Sequence, residues 1–235
     1  MQTVLITGGT GMIGQALAKQ LIAKGYEVII LTRNPKRSSR PHLTYAKWDV
    51  AKQEIDVVAV AKANCIVHLA GEGVADKRWT DKRKQAIVDS RVQSGQFLVK
   101  VLSENKHQVT SFISASAIGW YGADTPQSVE QGFQETDAAD DSYLGNTCKL
   151  WEESTAAIEK MGIRLVVFRI GIVLNKNGGA LAEFLKPAKF ALAPILGNGK
   201  QIISWIHYQD LCKMFQFAIE NSNTKGCLLY TSPSP

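Results

Sequence analysis

The glycine-rich stretch TVLITGGTGMIG, residues 3–14, constrains this chain more than any other feature. It opens with the short apolar run VLI, breaks into four glycines and leads into QALAKQL, which has helical character. The pattern predicts a buried strand that turns directly into a helix. Glycines permit the tight turn, let a pyrophosphate approach the backbone and let the helix pack on the strand. We therefore expect a dinucleotide at the helix N-terminus, where free N–H groups and the helix dipole favour an anion. The alternative is a tight turn that binds no ligand.

The end of the next strand indicates which dinucleotide is bound. We predict the second strand over Glu27–Leu31, with Thr32 and Arg33 at its end. NAD-binding proteins of this type carry an acidic residue about 20 positions past the glycines, where it binds the ribose 2′-hydroxyl. Here Arg33 stands at that place, and three more basic residues follow by position 40. A guanidinium pairs with a 2′-phosphate through two hydrogen bonds. The prediction is therefore NADP(H), with a solvated basic loop as the alternative.

Composition and charge exclude several classes of protein. A chain of 235 residues suits one α/β domain with a small appended lobe. No run approaches the roughly 18 to 20 apolar residues of a membrane span, and a strand beginning at residue 3 leaves no room for a signal peptide. We therefore expect a cytoplasmic protein with no membrane partner. The net charge of +6 is spread along the chain with few aromatics, so nucleic acid is not an expected partner. Four scattered cysteines predict neither a metal site nor a disulfide.

The alternation of strands and helices predicts an α/β fold, a doubly wound parallel sheet of Rossmann type with right-handed connections. Further strands are predicted at 43–48, 65–71, 109–114 and 165–168, and helices at about 80–105 and 144–161. We assign residues 1–170 to a dinucleotide-binding domain. The regular alternation of strands and helices changes after Gly171. We assign residues 171–235 to a small substrate-facing lobe with one returning sheet element.

Polar residues at strand ends and on one helix are the candidate site residues. Ser114 and Ser116 lie at the carboxyl end of a predicted central strand, where open α/β sheets bind ligands. Arg91 falls on the same helical stripe as apolar residues, so we expect it to point inward. It then contacts either a cofactor phosphate or a buried carboxylate. His68 stands alone at the end of a strand core, and we interpret it as structural.

The glycine loop, HLAG, SASAIGWYG, RIG and WIHYQD together resemble the extended short-chain dehydrogenase/reductase superfamily. The sequence is most similar to an atypical epimerase-like branch, often labelled nucleoside-diphosphate-sugar epimerase, over residues 1 to about 226. That label alone suggests a nucleotide sugar as substrate. The resemblance also implies a homodimer formed through the helix at 80–105. The residues that it implies as NADP contacts are Gly8, Gly9, Thr10, Gly11, Met12, Ile13, Gly14, Thr32, Arg33, Leu69, Ala70 and Arg91.

The catalytic pair of that superfamily is only partly present. Members carry Tyr-x-x-x-Lys on one helix, because an i, i+4 spacing places both side chains on one face. Lys149 is the candidate lysine, which would hold the nicotinamide ribose, but position 145 is Gly. Tyr121 is either a substitute for the tyrosine or a packing aromatic. Ser116 is the candidate hydrogen-bond donor to the reacting oxygen, with Ser114 as its rival.

The C-terminal segment carries the candidate substrate residues. His207 and Asp210 stand about one helical turn apart and either orient the substrate or brace the lobe. Members of the superfamily usually continue well past Gly226, so we expect the chain to be truncated and the lobe incomplete. The predicted function is NADP(H)-dependent oxidoreductase or epimerase chemistry, by hydride transfer, on a small hydroxyl- or carbonyl-bearing substrate. The alternative is a redox sensor or scaffold that binds NADP(H) without turnover.

Overall fold

Eight strands form the central sheet of the computed structural model, which describes residues 2–74, 77–176, 178–188, 199 and 202–230. The sheet order is β10-β7-β6-β5-β1-β2-β3-β4, and every pair is parallel except β3–β4. The strands are β1 Thr3–Thr7, β2 Glu27–Thr32, β3 Leu43–Asp49, β4 Glu54–Ile55, β5 Cys65–His68, β6 Ser111–Ala117, β7 Arg164–Ile170, β8 Ile172–Leu174, β9 Trp205–His207 and β10 Gly226–Tyr230. The strands β8 and β9 form a separate parallel pair.

Helices cover both faces of the sheet. They are α1 Met12–Ala23, α2 Val57–Lys62, α3 Asp81–Glu104, α4 Pro126–Gln131, α5 Tyr143–Glu153, α6 Ala157–Lys160, α7 Gly179–Ala188 and α8 Tyr208–Glu220, with a 3₁₀ turn at Ile118–Tyr121. One apolar core joins the sheet to α1 and α8, and a second core joins the opposite face to α2, α3 and α6. This arrangement confirms the predicted doubly wound α/β fold. Among the described residues, none of the helices has the length and apolar character needed to cross a bilayer.

The chain order reverses at β1, and this reversal positions the site. From β1 the chain proceeds outward through β2 and β3, and then returns to place β5 on the other side of β1. The carboxyl ends of β1 and β5 therefore border a crevice at the switch point, which is where ligands bind in open parallel sheets. The glycine-rich loop leaves β1 at this edge.

Several boundaries differ from those expected from the sequence. The predicted helix at 144–161 is divided into α5 and α6, because Ser154 Oγ donates to the Trp151 carbonyl at 2.6 Å and competes with helix continuation. The strand expected to reach Gly71 ends at His68. The strand β10, which returns to pair with β7, ends the described chain. Residues 196–200, whose sequence LGNGK is typical of a turn, lie largely outside the described residues. All four cysteines are free thiols, and three are buried.

Candidate functional site

The glycine loop forms a cradle in which side chains have no space. Gly8 has a φ of 65°, and a Cβ there would lie 2.6 Å from the carbonyl oxygen of Leu69. A Cβ on Gly14 would lie 2.5 Å from the Gly8 oxygen, and one on Gly9 would lie 2.8 Å from the Ile30 side chain. Since real Cβ contacts are not this short, these positions require glycine. The cradle brings the start of α1 close to the ends of β1 and β5.

The start of α1 is open to an anion. Its N-cap, Gly11, offers no side-chain hydrogen bond, and the first turn carries no acidic residue. The first N–H groups of a helix have no partner inside the helix, so they are available to a phosphate. Thr10 is exposed, and Met12 and Ile13 are half-buried at this end. The residues present therefore fit a dinucleotide pyrophosphate.

Arg33 lies where the 2′ position of an adenosine ribose is expected. It follows Thr32 at the end of β2 and is exposed, and its carbonyl accepts a hydrogen bond from Lys47 Nζ at 3.1 Å. Among the described residues, its guanidinium has no hydrogen bond or ion pair. A loop after β5 lies nearby, and the pKa of Glu72 in that loop is lowered mainly by its hydrogen bond with Arg83, with Arg33 contributing. An unpaired cation therefore stands beside the cradle.

Arg91 fastens the loop after β5 to α3. Its Nη1 donates to the carbonyls of Glu72 and Ile87, both at 3.0 Å, and its guanidinium lies 4.8 Å from the Trp151 ring centroid. Burial lowers the pKa of Arg91. The carboxylate of Glu72 pairs with Arg83 instead, at 2.7 Å. Arg91 thus points inward as expected, but its hydrogen bonds go to carbonyls and not to a carboxylate. The phosphate contact implied for it stays a prediction.

A buried ion pair occupies the carboxyl end of β6. Arg169 is 3% exposed, and it donates from Nε and Nη2 to the two oxygens of Glu152 at 2.9 and 3.0 Å. Ser116 Oγ donates to the same carboxylate at 2.6 Å. The hydroxyl proton of Ser116 is therefore directed at Glu152. Ser114, on the same face of β6, is also buried and donates to the Ala115 carbonyl at 3.1 Å.

Tyr121 belongs to the same cluster. Its hydroxyl accepts from Arg169 Nη1 at 3.0 Å, and its ring stacks on Phe133 with centroids 4.8 Å apart. Burial raises the pKa of Tyr121, although the hydrogen bond from Arg169 acts in the opposite direction. These contacts are those of a packing aromatic, the alternative interpretation from the sequence. Its role as a substitute acid stays a prediction.

The structure does not bring Lys149 to Ser116. Lys149 is exposed on α5, whereas its neighbour Cys148 is buried and its Sγ donates to the Ala117 carbonyl at 3.5 Å. Leu144 lies one turn earlier on the same face, and both side chains pack against Gly119. Residues four apart share a helix face, so the face that α5 turns toward the end of β6 carries a leucine, a thiol and the Glu152 carboxylate. Burial raises the pKa of that thiol to about 11.

The β8–β9 pair lies close to the cradle. His207 ends β9, and β8 leads into Gly178 and Gly179, whose Cβ positions would lie 3.5 Å from the Met12 side chain. The ring centroids of His207 and Tyr208 lie 4.7 Å apart, and the His207 ring has no hydrogen bond among the described residues. Asp210 pairs with Lys213 at 2.9 Å, and this lysine lowers the pKa of Asp210. This pair is exposed and lies within one turn of α8, so both predicted roles of Asp210 stay predictions.

Glu152 was not identified from the sequence as a site residue, although a signal was present. An arginine inside the apolar strand RLVVFRI needs a buried carboxylate, since buried charges are almost always paired. Two carboxylates, Glu152 and Glu153, end the amphipathic helix α5, and the sequence does not show which of them turns toward Arg169.

Comparison with known proteins places the chain among similar sequences and structures. A family model described as NAD dependent epimerase/dehydratase family matches residues 4–227. The epimerase family protein YfhF of Bacillus subtilis (strain 168) is 35% identical over 99% of this chain and 75% of its own length. The corresponding protein SH2119 of Staphylococcus haemolyticus is 36% identical over 99% of this chain and 76% of its own length.

Two solved structures are similar over nearly the whole chain. The human epimerase family protein SDR39U1 (isoform 2), solved with NADPH, has a TM-score of 0.84 and 28% identity over 99% of this chain and 75% of its own. A nucleoside-diphosphate sugar epimerase from Corynebacterium glutamicum has a TM-score of 0.82 and 32% identity over all of this chain and 47% of its own. The region that the family model matches runs from β1 into β10.

Proposed function

Since the chain belongs to the NAD dependent epimerase/dehydratase family, we propose that it is an NADP(H)-dependent oxidoreductase or epimerase acting on a small hydroxyl- or carbonyl-bearing molecule. The observation that carries this proposal is the glycine cradle at the switch point of the sheet. It admits no side chain at Gly8, Gly9 or Gly14, and it directs the uncapped start of α1 at the crevice. A bound nicotinamide supplies reversible hydride transfer, while the protein binds and orients.

The choice of NADP(H) over NAD(H) rests on Arg33. Its guanidinium is exposed and unpaired among the described residues, at the end of β2, where an acidic residue would select the ribose hydroxyl. A similar human protein was solved with NADPH, which supports the same choice. Thr32, Leu69 and Ala70 would line the adenosine and nicotinamide sides of the same crevice.

The substrate would lie between the end of β6 and the β8–β9 pair. Ser116 reaches a substrate oxygen if its hydroxyl turns away from Glu152, and the pair between Glu152 and Arg169 remains intact in that arrangement. His207 would offer its imidazole from the other side, and Asp210, one turn further on, would orient the substrate beside it. A nucleotide sugar is the substrate class favoured by the name of the similar protein from Corynebacterium glutamicum.

A second candidate function is NADP(H) binding without turnover. Three observations favour it: Ser116 is directed at Glu152, Tyr121 accepts from Arg169, and Lys149 is exposed. On this alternative, the dinucleotide stabilises one state of a redox sensor or scaffold.

One experiment separates the two functions. The protein is titrated with NADPH by calorimetry, and then incubated with NADPH and a panel of nucleotide sugars, quinones and aldehydes while the absorbance of the reduced nicotinamide is followed. Binding with oxidation of NADPH by one compound class supports the enzyme. Binding with no oxidation, and no interconversion of nucleotide sugars by mass spectrometry, supports the sensor. The absence of binding contradicts both.

We also propose a homodimer and a cytoplasmic location, as expected from the sequence. For the dimer, the support is a groove between α3 and α5 that is open to solvent. Val92, Val99 and Leu150 line this groove, and Leu150 is 44% exposed.

A further inference from the structure

A carboxylate, that of Glu72, lies close to Arg33 across the crevice. The strand β1 separates β5 from β2, so the ends of β5 and β2 are about 10 Å apart, twice the spacing of neighbouring strands. Arg33 directly follows β2, and Glu72 lies in the loop after β5. The pKa of Glu72 is lowered mainly by its hydrogen bond with Arg83, and the charges of Arg33 and then Lys77 contribute. Glu72 and Arg33 are therefore within electrostatic reach of each other.

A free carboxylate at this place would oppose the binding of a 2′-phosphate. It would repel the phosphate, and it would also compete for Arg33, because a guanidinium forms the same paired hydrogen bonds with a carboxylate as with a phosphate. The side chain of Glu72 is 49% exposed, so it has room to turn toward the crevice. In this fold, an acidic residue beside the adenosine ribose selects the 2′-hydroxyl of NAD. Glu72 without a partner would therefore favour NADH.

Arg83 binds the carboxylate of Glu72 and holds it. Its Nη1 donates to Glu72 Oε2 at 2.7 Å, and its Nη2 donates to the Gly73 carbonyl at 2.6 Å. The side chain of Arg83 is only 11% exposed, so its guanidinium is packed against the loop. Its backbone is fixed in the first turn of α3, where its N–H donates to Thr80 Oγ1 at 3.2 Å. Arg83 therefore both neutralises Glu72 and sets the direction of its side chain.

We propose that Glu72 and Arg83 together determine the preference of the site for NADP(H) over NAD(H). Arg83 occupies the Glu72 carboxylate, so that Arg33 stays free to bind the 2′-phosphate. The inference rests on the proposed function, and in particular on Arg33 as the partner of that phosphate. Glu72 and Arg83 are positioning residues, because they act on the dinucleotide through Arg33.

Three variants test this arrangement. Arg83→Met removes the cation that holds Glu72, Glu72→Gln removes the carboxylate, and the double variant removes both. The backbone N–H and carbonyl of Glu72, which bind Ser90 and Arg91, are kept in Glu72→Gln. Lys186→Met is the control, because it also removes the cation of an ion pair, one on α7 that does not involve the loop after β5.

Each protein is titrated with NADPH and, separately, with NADH by calorimetry, at low and at raised salt, and thermal unfolding is measured alongside. NADH lacks the 2′-phosphate, so its Kd reports any general damage to the site. The ratio of the two Kd values in each variant is compared with that of the wild type.

We expect Arg83→Met to raise the Kd for NADPH about fivefold, as an exposed ion pair between Glu72 and Arg33 would do, and to leave that for NADH within about twofold. The double variant should return the Kd for NADPH to within about twofold of the wild type, because the competing carboxylate is gone. Glu72→Gln alone should lower it about threefold. Raised salt should reduce each of these differences. Lys186→Met should change neither Kd.

A double variant that binds NADPH as weakly as Arg83→Met would overturn the inference, since the loss would then not depend on the carboxylate. An equal loss of NADPH and NADH binding in Arg83→Met would overturn it as well. If Arg83→Met does not fold, Glu72→Gln decides, and an unchanged ratio of the two Kd values would count against the inference.

Each of these outcomes leaves the proposed function standing, because the wild type still binds NADPH. A wild type that prefers NADH would overturn the inference together with the choice of NADP(H). A wild type that binds neither dinucleotide would overturn the proposed function and the inference alike.

Discussion

At the scale of single residues, the charged side chains buried at the end of β6 have partners inside the protein. Few of their hydrogen-bonding atoms therefore remain free to act on a substrate. Arg169 donates to both oxygens of Glu152 and to Tyr121, and its guanidinium lies 3.5 Å from the Trp120 ring centroid. Ser116 donates to the same carboxylate. The cluster therefore ties β6, β7 and α5 together beside the crevice.

Arg169→Met should lower the free energy of unfolding by about 3 to 5 kcal/mol, because it leaves the Glu152 carboxylate buried without its partner. Chemical denaturation followed by circular dichroism measures the loss. Lys213→Met is the control, since it breaks an exposed ion pair and should leave stability nearly unchanged. Equal stability of the two variants would contradict the role assigned to the cluster.

The stability of the protein should depend on pH through His68, and an asparagine at this position should not reproduce that dependence. Burial, with Arg91, lowers its pKa from 6.5 to about 4, so the unfolded chain takes up the proton first as the pH falls. The free energy of unfolding should therefore fall between about pH 6.5 and pH 4, by up to about 3 kcal/mol, and level off below. His68→Asn should lack this part of the decrease. Denaturant titrations of both proteins at several pH values measure it, and parallel curves would contradict it.

At the scale of secondary-structure elements, the start of α1 depends on glycines. Gly14→Ala should abolish detectable dinucleotide binding, because its Cβ would lie 2.5 Å from the Gly8 oxygen and force the loop apart. Gly25→Ala is the control: it also places a side chain in a tight turn, but no atom lies within 4 Å of the new Cβ. Its positive φ should lower stability by about 1 kcal/mol and leave binding intact. Calorimetric titration with NADPH distinguishes the two, and retained binding in Gly14→Ala would contradict the cradle.

Elements with strong periodic patterns were predictable from the sequence, and elements fixed by tertiary contacts were not. The apolar runs of β1, β2 and β7 and the capped helix α3 were predicted close to their observed ranges, whereas β5 ends three residues earlier than predicted. Two-residue β4 carries too little pattern to be recognised. The break between α5 and α6 depends on local hydroxyl bonds that a helical pattern does not reveal. Likewise, the sequence placed Ser116 at the crevice, but its direction depends on Glu152, which is 36 residues away.

At the scale of the whole molecule, the exposed face of α3 and α5 is the predicted dimer contact. Leu150→Glu should convert a dimer to a monomer, because a charge placed in an apolar contact must be desolvated. Phe217→Glu is the control, since it alters an equally apolar, exposed position on α8. Light scattering coupled to size-exclusion chromatography measures the mass. A wild-type monomer, or loss of the dimer in Phe217→Glu alone, would contradict the proposed contact.

The central proposal also concerns the whole molecule. It is that the cradle, the uncapped start of α1 and Arg33 together form a site for NADP(H). Calorimetric titration of the wild-type protein with NADPH and, separately, with NADH tests it most directly. We predict saturable binding of one NADPH per chain, with a Kd at least about tenfold lower than that for NADH, because the proposed site would pair Arg33 with the 2′-phosphate. No heat from either dinucleotide, or tighter binding of NADH, would contradict it.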